Sequence, residues 1–490
     1  MRARGQSAML QSIIDETRIA LGGIRDFARS FTEPTLRLGV TGLSKSGKTV
    51  FITALVHNLI HGGRLPMFSA YSGHRIARAY LEPQPDFDLP RFPYEAHLET
   101  LTSADRDWPE GTKRLSELRL TIEYMGEGLF SRDGVARRLS VDIIDYPGEW
   151  LLDLPLMNLT YAEWSASMLA ASRRPPRLDF AKPFHEFLAA LDPSAPRDEL
   201  QAQKAAQIFT AYLSRCRADD VALSALAPGR FLMPGDLQGS PLLTFAPLDL
   251  DQARKTRRGS LHALMARRYN AYVDHVVKPF FLNHFARLDR QIVLVDVLSA
   301  LNAGEEAVKD LNAALTSVLS IYRQGSNAWA RQVLGRRIDR ILFAATKADQ
   351  LHHTSHDRLE AILAQIVKDA SARAEFRGAR IDVSALAAIR ATREATVKQR
   401  GEELACIVGV PKGGEKIGAS LFDGETEAAI FPGDLPEISD IAKNGARSKV
   451  RFVRFRPPLL PHGNHLAPGP SFPHIRLDRA LEFLLGDRLA

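Results

Sequence analysis

The sequence predicts an α/β chain built on a mostly parallel sheet, enlarged by a large helical insertion and a small β-rich one. Three observations carry this. An apolar strand at 36–40 runs into a glycine-cornered loop and a helix. Further apolar strand patterns alternate with helical ones, as in sheets whose parallel strands are joined by crossover helices. Between them, residues 150–289 show helical spacing of apolar residues and no strand pattern. At 490 residues the chain exceeds what a single core usually supports, so large insertions or several domains are expected.

The first strand leads into GLSKSGKT at 42–49, which fits G-x-x-x-x-G-K-[ST]. Glycine at both corners permits backbone angles that turn successive N–H groups inward on an anion, and the helix expected at 48–60 adds its positive dipole end. Ser44, Lys45, Ser46, Gly47, Lys48, Thr49 and Val50 are therefore read as a phosphate cradle, the P-loop of a nucleoside-triphosphate-binding fold. Lys48 is expected to reach the β- and γ-phosphates, and the Thr49 hydroxyl to hold magnesium.

Strands are expected next at 116–124 and 138–144, read as the edge and core strands beside the loop. The second ends in Asp145-Tyr146-Pro147-Gly148. A carboxylate at that strand end can hold magnesium through water, and Gly148 lets its backbone N–H approach the γ-phosphate.

Beyond the helical stretch, strands are expected at 291–297, 339–345 and 379–383, with helices at 305–322 and 357–368. Ligands of such sheets bind at the carboxyl ends of the strands. Thr346-Lys347-Ala348-Asp349 follows one strand and Ser384-Ala385-Leu386 another. The Asp349 carboxylate can accept from N1–H and the 2-amino group of guanine, whereas adenine would leave it facing a lone pair. The Lys347 stem can cover the purine, and the Ala385 N–H can meet guanine O6.

The remaining segments carry less chemistry. Residues 9–31 have near-helical apolar spacing and are read as an N-terminal amphipathic helix within 1–34, packed on the nucleotide domain. Residues 62–111 show little periodicity. Helices are expected at 150–172, 182–191, 197–217 and 261–288. Within that stretch Arg254, Lys255, Arg257 and Arg258 form a basic run, read as a solvated face with the alternative of an arginine reaching the phosphates. Residues 391–473 read as the β-rich insertion, with apolar runs at 404–410, 428–431 and 450–455, before a last helix at 476–489. The nucleotide-binding domain is then 35–149, 290–390 and 474–490. Two histidine clusters, His352, His353 and His356, and His462, His465 and His474, lack matching carboxylate or sulfur partners in sequence, so surface and helix-start roles are expected.

Composition excludes several classes. The net charge of +7 comes from 64 basic and 57 acidic residues spread along the chain, which gives no case for specific nucleic-acid binding. Two distant cysteines, Cys216 and Cys406, fit a reducing compartment and no disulfide scaffold. No apolar run approaches the ~18 residues of a membrane span and the N-terminus lacks a signal-peptide core, so a cytoplasmic location is expected.

In order along the chain, 42–49, 145–148, 346–349 and 384–386 match the motifs of translation-factor-like and Ras-like GTPases. More closely, VTGLSKSGKTVFITALVHNL, DYPGEWL, PFFLNHFARLDRQIVLVDVL, TKAD and FPHIRLDRALEFLLGDRL resemble the YcjX family of bacterial P-loop GTP-binding proteins. The resemblance implies a GTPase fold, GTP or GDP with Mg²⁺, slow hydrolysis, a regulatory and stress-associated role, and an unidentified protein partner, membrane-associated ones included. It also implies roles for two further residues. Thr112 precedes the strand beside the Asp145 strand, where Ras-like proteins carry a γ-phosphate-sensing threonine that also ligates magnesium. Glu149 stands where those enzymes carry glutamine, and an ionised carboxylate there cannot donate to the γ-phosphate. The alternative function is a nucleotide-stabilised scaffold with negligible turnover.

Overall fold

The computed structural model describes residues 34–42, 45–126, 136–218, 221–250, 257–320, 338–375, 378–399, 401–418, 420–437, 452–460 and 470–490. The helix expected at 9–31, Ser44, Arg254 and Lys255 lie outside them.

Seven strands, β1 (Thr35–Gly42), β2 (Ile76–Glu82), β3 (Ser116–Tyr124), β4 (Arg137–Asp145), β5 (Arg290–Val295), β6 (Arg340–Ala345) and β7 (Arg380–Ala385), form one sheet in the order β2-β3-β4-β1-β5-β6-β7. From β4 to β7 all pairings are parallel, and β3 and β2 add antiparallel strands at one side. The strand expected to form the edge, 116–124, is thus one place inside it. The true edge, β2, lay hidden in the aperiodic stretch because only Ala79 of its residues is buried.

Both faces of the parallel part are covered, which is why β5 and β6 read as continuous apolar runs. Along β5, Ile292 and Leu294 face helix α1 (Lys48–His61), while Val293 and Val295 belong to the core on the opposite face. α1 contributes Phe51, Ile52, Leu55, Val56 and Leu59 to its side. Burying one such side chain is worth about 1.5–3 kcal/mol, so this loop-following helix is firmly anchored. A short helix α2 (Tyr94–Thr102) packs beside it.

Between β4 and β5 the chain is helical, as expected, with different boundaries. The stretch expected as one helix at 150–172 begins instead as a 3₁₀ segment, Gly148–Asn158, with Pro155 inside it. A reciprocal Thr160–Glu163 capping box then starts α3 (Tyr161–Ser172). α4 (Arg177–Ala189), α5 (Glu199–Cys216) and α6 (Leu261–Tyr272) follow, α6 continuing through a π-turn, Val273–Val277, into Lys278–Asn283. Trp164, Phe209, Phe245 and Tyr269 from this stretch share one continuous core with Val293, Phe343 and Ala345 of the sheet. α7 (Val297–Ala303), α8 (Glu305–Ser320) and α9 (His356–Glu375) complete that face. Val297, read as the end of a strand, starts α7 because Asp296 caps it by accepting from the Ser299 N–H at 3.0 Å.

Residues 393–430 supply short strands: β8 (Arg393–Gln399), β9 (Glu402–Gly409), β10 (Lys416–Ile417), β11 (Ser420–Leu421) and β12 (Ala428–Ile430). β12, β9 and β8 form a small antiparallel sheet over a core of Ile407, Ile430, Val453 and Phe455. The run expected at 450–455 forms no strand among its described residues. The chain then returns to the sheet as α10 (Leu477–Leu485), whose Leu477, Leu481, Leu484 and Leu485 join the α1 face.

Candidate functional site

The parallel register sets the site. Val40 pairs with Asp145, Gly42 with Leu294, Val295 with Ala345, and Ala345 with Ala385, so the loops after β1, β4, β5, β6 and β7 open at one edge of the sheet.

At the β1 end, Lys45 and Gly47 hold left-handed backbone angles, with φ of 59° and 84°. Glycine makes that conformation free of strain at 47, immediately before α1 begins at Lys48. The buried Lys48 ammonium donates to the Gly42 carbonyl at 3.2 Å, curling back over the loop. Val50, one turn into α1, packs against Ala54, Leu101, Ile389 and Phe472.

Facing the loop are three oxygens from separate segments. Thr112 donates its hydroxyl to Asp145 Oδ2 at 2.7 Å, and its Oγ1 lies 3.5 Å from Thr49 Oγ1. The structure thus brings Thr49, Thr112 and Asp145 together. Burial pushes the Asp145 carboxyl up to about 6, with the Lys48 charge and the Thr112 hydroxyl pulling the other way. Asp145 Oδ1 and Ser46 Oγ are buried with no hydrogen-bond partner among the described residues. Buried polar atoms left this way cost free energy, and these two lie at the end of β4 and in the 42–49 loop. An all-oxygen set with one unpartnered carboxylate oxygen fits a hard cation such as magnesium.

The segment after Asp145 is held from the side of the helical stretch. Gly148 and Glu149 are buried, and the Arg217 guanidinium, at the end of α5, lies 2.8 Å from Glu149 Oε1. A Cβ on Gly229 would stand 1.9 Å from the Glu149 carbonyl oxygen, so only glycine permits this approach. The Asp153 carboxylate accepts from the N–H groups of Gly229 at 2.6 Å and Arg230 at 3.3 Å and from the Tyr272 hydroxyl at 2.6 Å. Arg230 in turn stacks on Trp150. Among the described residues Arg217 of the helical stretch pairs with Glu149, whereas Arg257 and Arg258 of the basic run are exposed.

At the β6 and β7 ends, Thr346 donates its backbone N–H to Val295 at 2.9 Å, tying the motif to the neighbouring strand end. Lys347, left-handed at φ 62°, pairs its ammonium with Asp296. Asp349 is buried and accepts from the Ala391 N–H at 3.0 Å, and burial pushes its carboxyl up to about 6. Ser384 donates to the Ala385 carbonyl at 3.2 Å, and Leu386 receives the Ala348 N–H at 3.1 Å. One expectation meets a different arrangement here: the Ala385 N–H donates to Glu360 at 3.2 Å, so a base oxygen at that N–H would have to displace a carboxylate held by Arg476 and Arg479.

Sequence reading missed Arg217, Asp296 and Glu360. Asp296 carried a usable signal, since it follows an apolar strand just as Asp145 does. Arg217 and Glu360 sit on helices with nothing in their neighbourhoods to mark them.

The model of the YcjX-like family (DUF463) matches residues 36–489. The chain belongs to the YcjX-like family. It is 37% identical over 464 residues to the Ras-like GTPase YcjX of Escherichia coli (strain K12), covering 93% of this chain and 96% of that protein. It is 35% identical over 476 residues to the Ras-like GTPase YcjX of Shewanella oneidensis (strain MR-1), covering 93% and 94% respectively. The match spans the strands of the sheet, the helical stretch between β4 and β5 and the short strands at 393–430 of this YcjX-like chain.

Proposed function

We propose that this YcjX-like chain binds GTP with Mg²⁺, hydrolyses it slowly, and acts as a nucleotide-dependent regulatory switch. The observation that carries the reading is the meeting of Thr49, Thr112 and Asp145 in front of the buried Lys48 ammonium, three side-chain oxygens beside a cation of the 42–49 loop. The names of its relatives as Ras-like GTPases support the same reading. Magnesium bound there would neutralise charge on the phosphates. The chain's own residues do the rest: Lys48 holds the β/γ region, Gly148 offers a backbone N–H, and Thr112 senses the γ-phosphate. Asp349 selects guanine, reaching it once the loop carrying Ala391 yields.

A second reading, a nucleotide-stabilised scaffold with negligible turnover, is favoured by one observation: the Glu149 carboxylate is already engaged by Arg217. Phosphate release by the purified chain with GTP and magnesium separates the two. The expected rate is on the order of 10⁻⁴ to 10⁻² s⁻¹, absent in Lys48→Ala, whose fold should be kept because the ammonium's hydrogen bond among the described residues is to the Gly42 carbonyl of the loop itself. Tight binding without turnover selects the scaffold. Undiminished nucleotide affinity in Lys48→Ala, or ATP competing equally with GTP, removes both.

A further inference from the structure

Away from the phosphate loop, the fold corrects the reading of the first histidine cluster. The partner missing from its sequence neighbourhood is Glu394, brought in by β8. Its Oε2 lies 2.6 Å from His353 Nδ1 and 3.9 Å from His352 Nε2. The ligand atoms of all three residues fall within 4.8 Å of one another.

The distances distinguish two arrangements. A separation of 3.9 Å is too long for a hydrogen bond. Ligands about 2.0–2.2 Å from a shared tetrahedral ion stand roughly 3.3–3.6 Å apart, which this cluster reaches with small side-chain adjustments. The surroundings suit a ligand set. His352 Nδ1 lies 3.1 Å from Thr354 Oγ1, a neighbour that can accept Nδ1–H and so leave the Nε2 lone pair pointing at the cluster. The Thr354 backbone N–H, 3.5 Å from the same nitrogen, is at the limit of bonding. On the carboxylate, Arg390 takes Oε1 at 3.3 Å, and Oε2 is the oxygen presented to both imidazoles. His352 and Glu394 are largely covered, with side chains 12% and 25% exposed, while His353 closes the open side.

We propose that His352, His353 and Glu394 form a binding site for a divalent transition-metal ion of the zinc class, its fourth position filled by water. Two imidazoles with one carboxylate favour zinc over the oxygen-seeking magnesium of the phosphate site. The ion would staple the segment just after Asp349 to β8. The residues leading into β8 already grip Asp349: Ala391 through its carboxylate, and Thr392 through its backbone carbonyl.

The test is a zinc titration of the full chain, stripped with a chelator and kept in excess magnesium, read by competition with a chromophoric chelator. Wild type, Glu394→Gln and His353→Ala are compared. Both positions are partly exposed, and equal melting temperatures of the three without zinc establish that the variants fold. The expected result is one equivalent of zinc bound by wild type, at least tenfold weaker in each variant. Added zinc should also raise the melting temperature of wild type only. A wild-type chain that takes up no stoichiometric zinc, or a loss short of tenfold in either variant, overturns the site and leaves His353 and Glu394 as a hydrogen-bonded pair.

Discussion

Because burial pushes the Asp145 carboxyl up to about 6, cation binding at this residue is expected to depend on pH. A cation needs the ionised form, about one-tenth populated at pH 5 and nine-tenths at pH 7, so magnesium-dependent nucleotide affinity should rise about tenfold across that interval and then level off. Titrations at fixed magnesium check this. Stability runs the other way. A carboxyl whose folded value is raised favours the folded chain below its unfolded value near 4, and that contribution is lost as pH rises through 6. Asp145→Asn should therefore stabilise the nucleotide-free chain at pH 7 by up to about 3 kcal/mol, with little effect at pH 4, while abolishing magnesium-dependent binding. Thermal melts at the two pH values read both signs. Asp349 gives a second prediction. Asp349→Asn should weaken GTP by more than roughly tenfold and favour xanthosine nucleotides, since a lost bond to a charged acceptor is worth about 1.5–3 kcal/mol. Competition binding with the two triphosphates decides it.

The 3₁₀ segment Gly148–Asn158 and helix α5 meet through Glu149 and Arg217. Removing the arginine leaves a buried Glu149 side chain without its ion-pair partner, and in the proposed nucleotide complex that carboxylate would repel a γ-phosphate. Arg217→Ala should therefore weaken a non-hydrolysable GTP analogue at least tenfold more than GDP, and the double variant with Glu149→Gln should recover most of the loss. Equal losses for both nucleotides, or no recovery, would show that Arg217 only supports the fold. Elements also explain what the sequence made legible. β3 matches its expected bounds, and α1, β4, β6 and β7 match within two residues, because strands buried on one or both faces write their period into apolar residues. β2 and β8 escaped, since one fully buries only Ala79 and REATVKQ on the other alternates weakly. The placement of the 42–49 loop, Asp145 and Asp349 at strand ends was readable because each motif fixes residue types at short spacing beside an apolar strand. The Arg217 and Glu360 contacts join residues 68 and 25 positions apart, a relation only the fold supplies.

On the scale of the whole molecule, the helical stretch is part of the same core as the sheet. Val293, Val295, Phe343 and Ala345 are buried in the cluster that contains Trp164, Phe209 and Tyr269. Deleting 150–289 and closing the gap should uncover part of that face and yield aggregated protein, as judged by size-exclusion chromatography. A soluble, nucleotide-binding remainder would instead mean that the stretch is a separable domain. The opposite face has its own anchor: Arg290, fully buried at the start of β5, bridges Asp339 and Asp487 and so fastens the chain's last turn to the middle of the sheet. The close approach of Gly229 to Glu149 bears on movement through this body. With backbone against backbone there is no soft side chain between them to absorb a displacement, and Asp153 grips the same two residues, 229 and 230, from the other side. On the proposed switch, a shift of the segment after Asp145 would therefore be passed to residues 229 and 230 with little loss, and the outer surface of the helices around them would be the dial on which the nucleotide state is displayed.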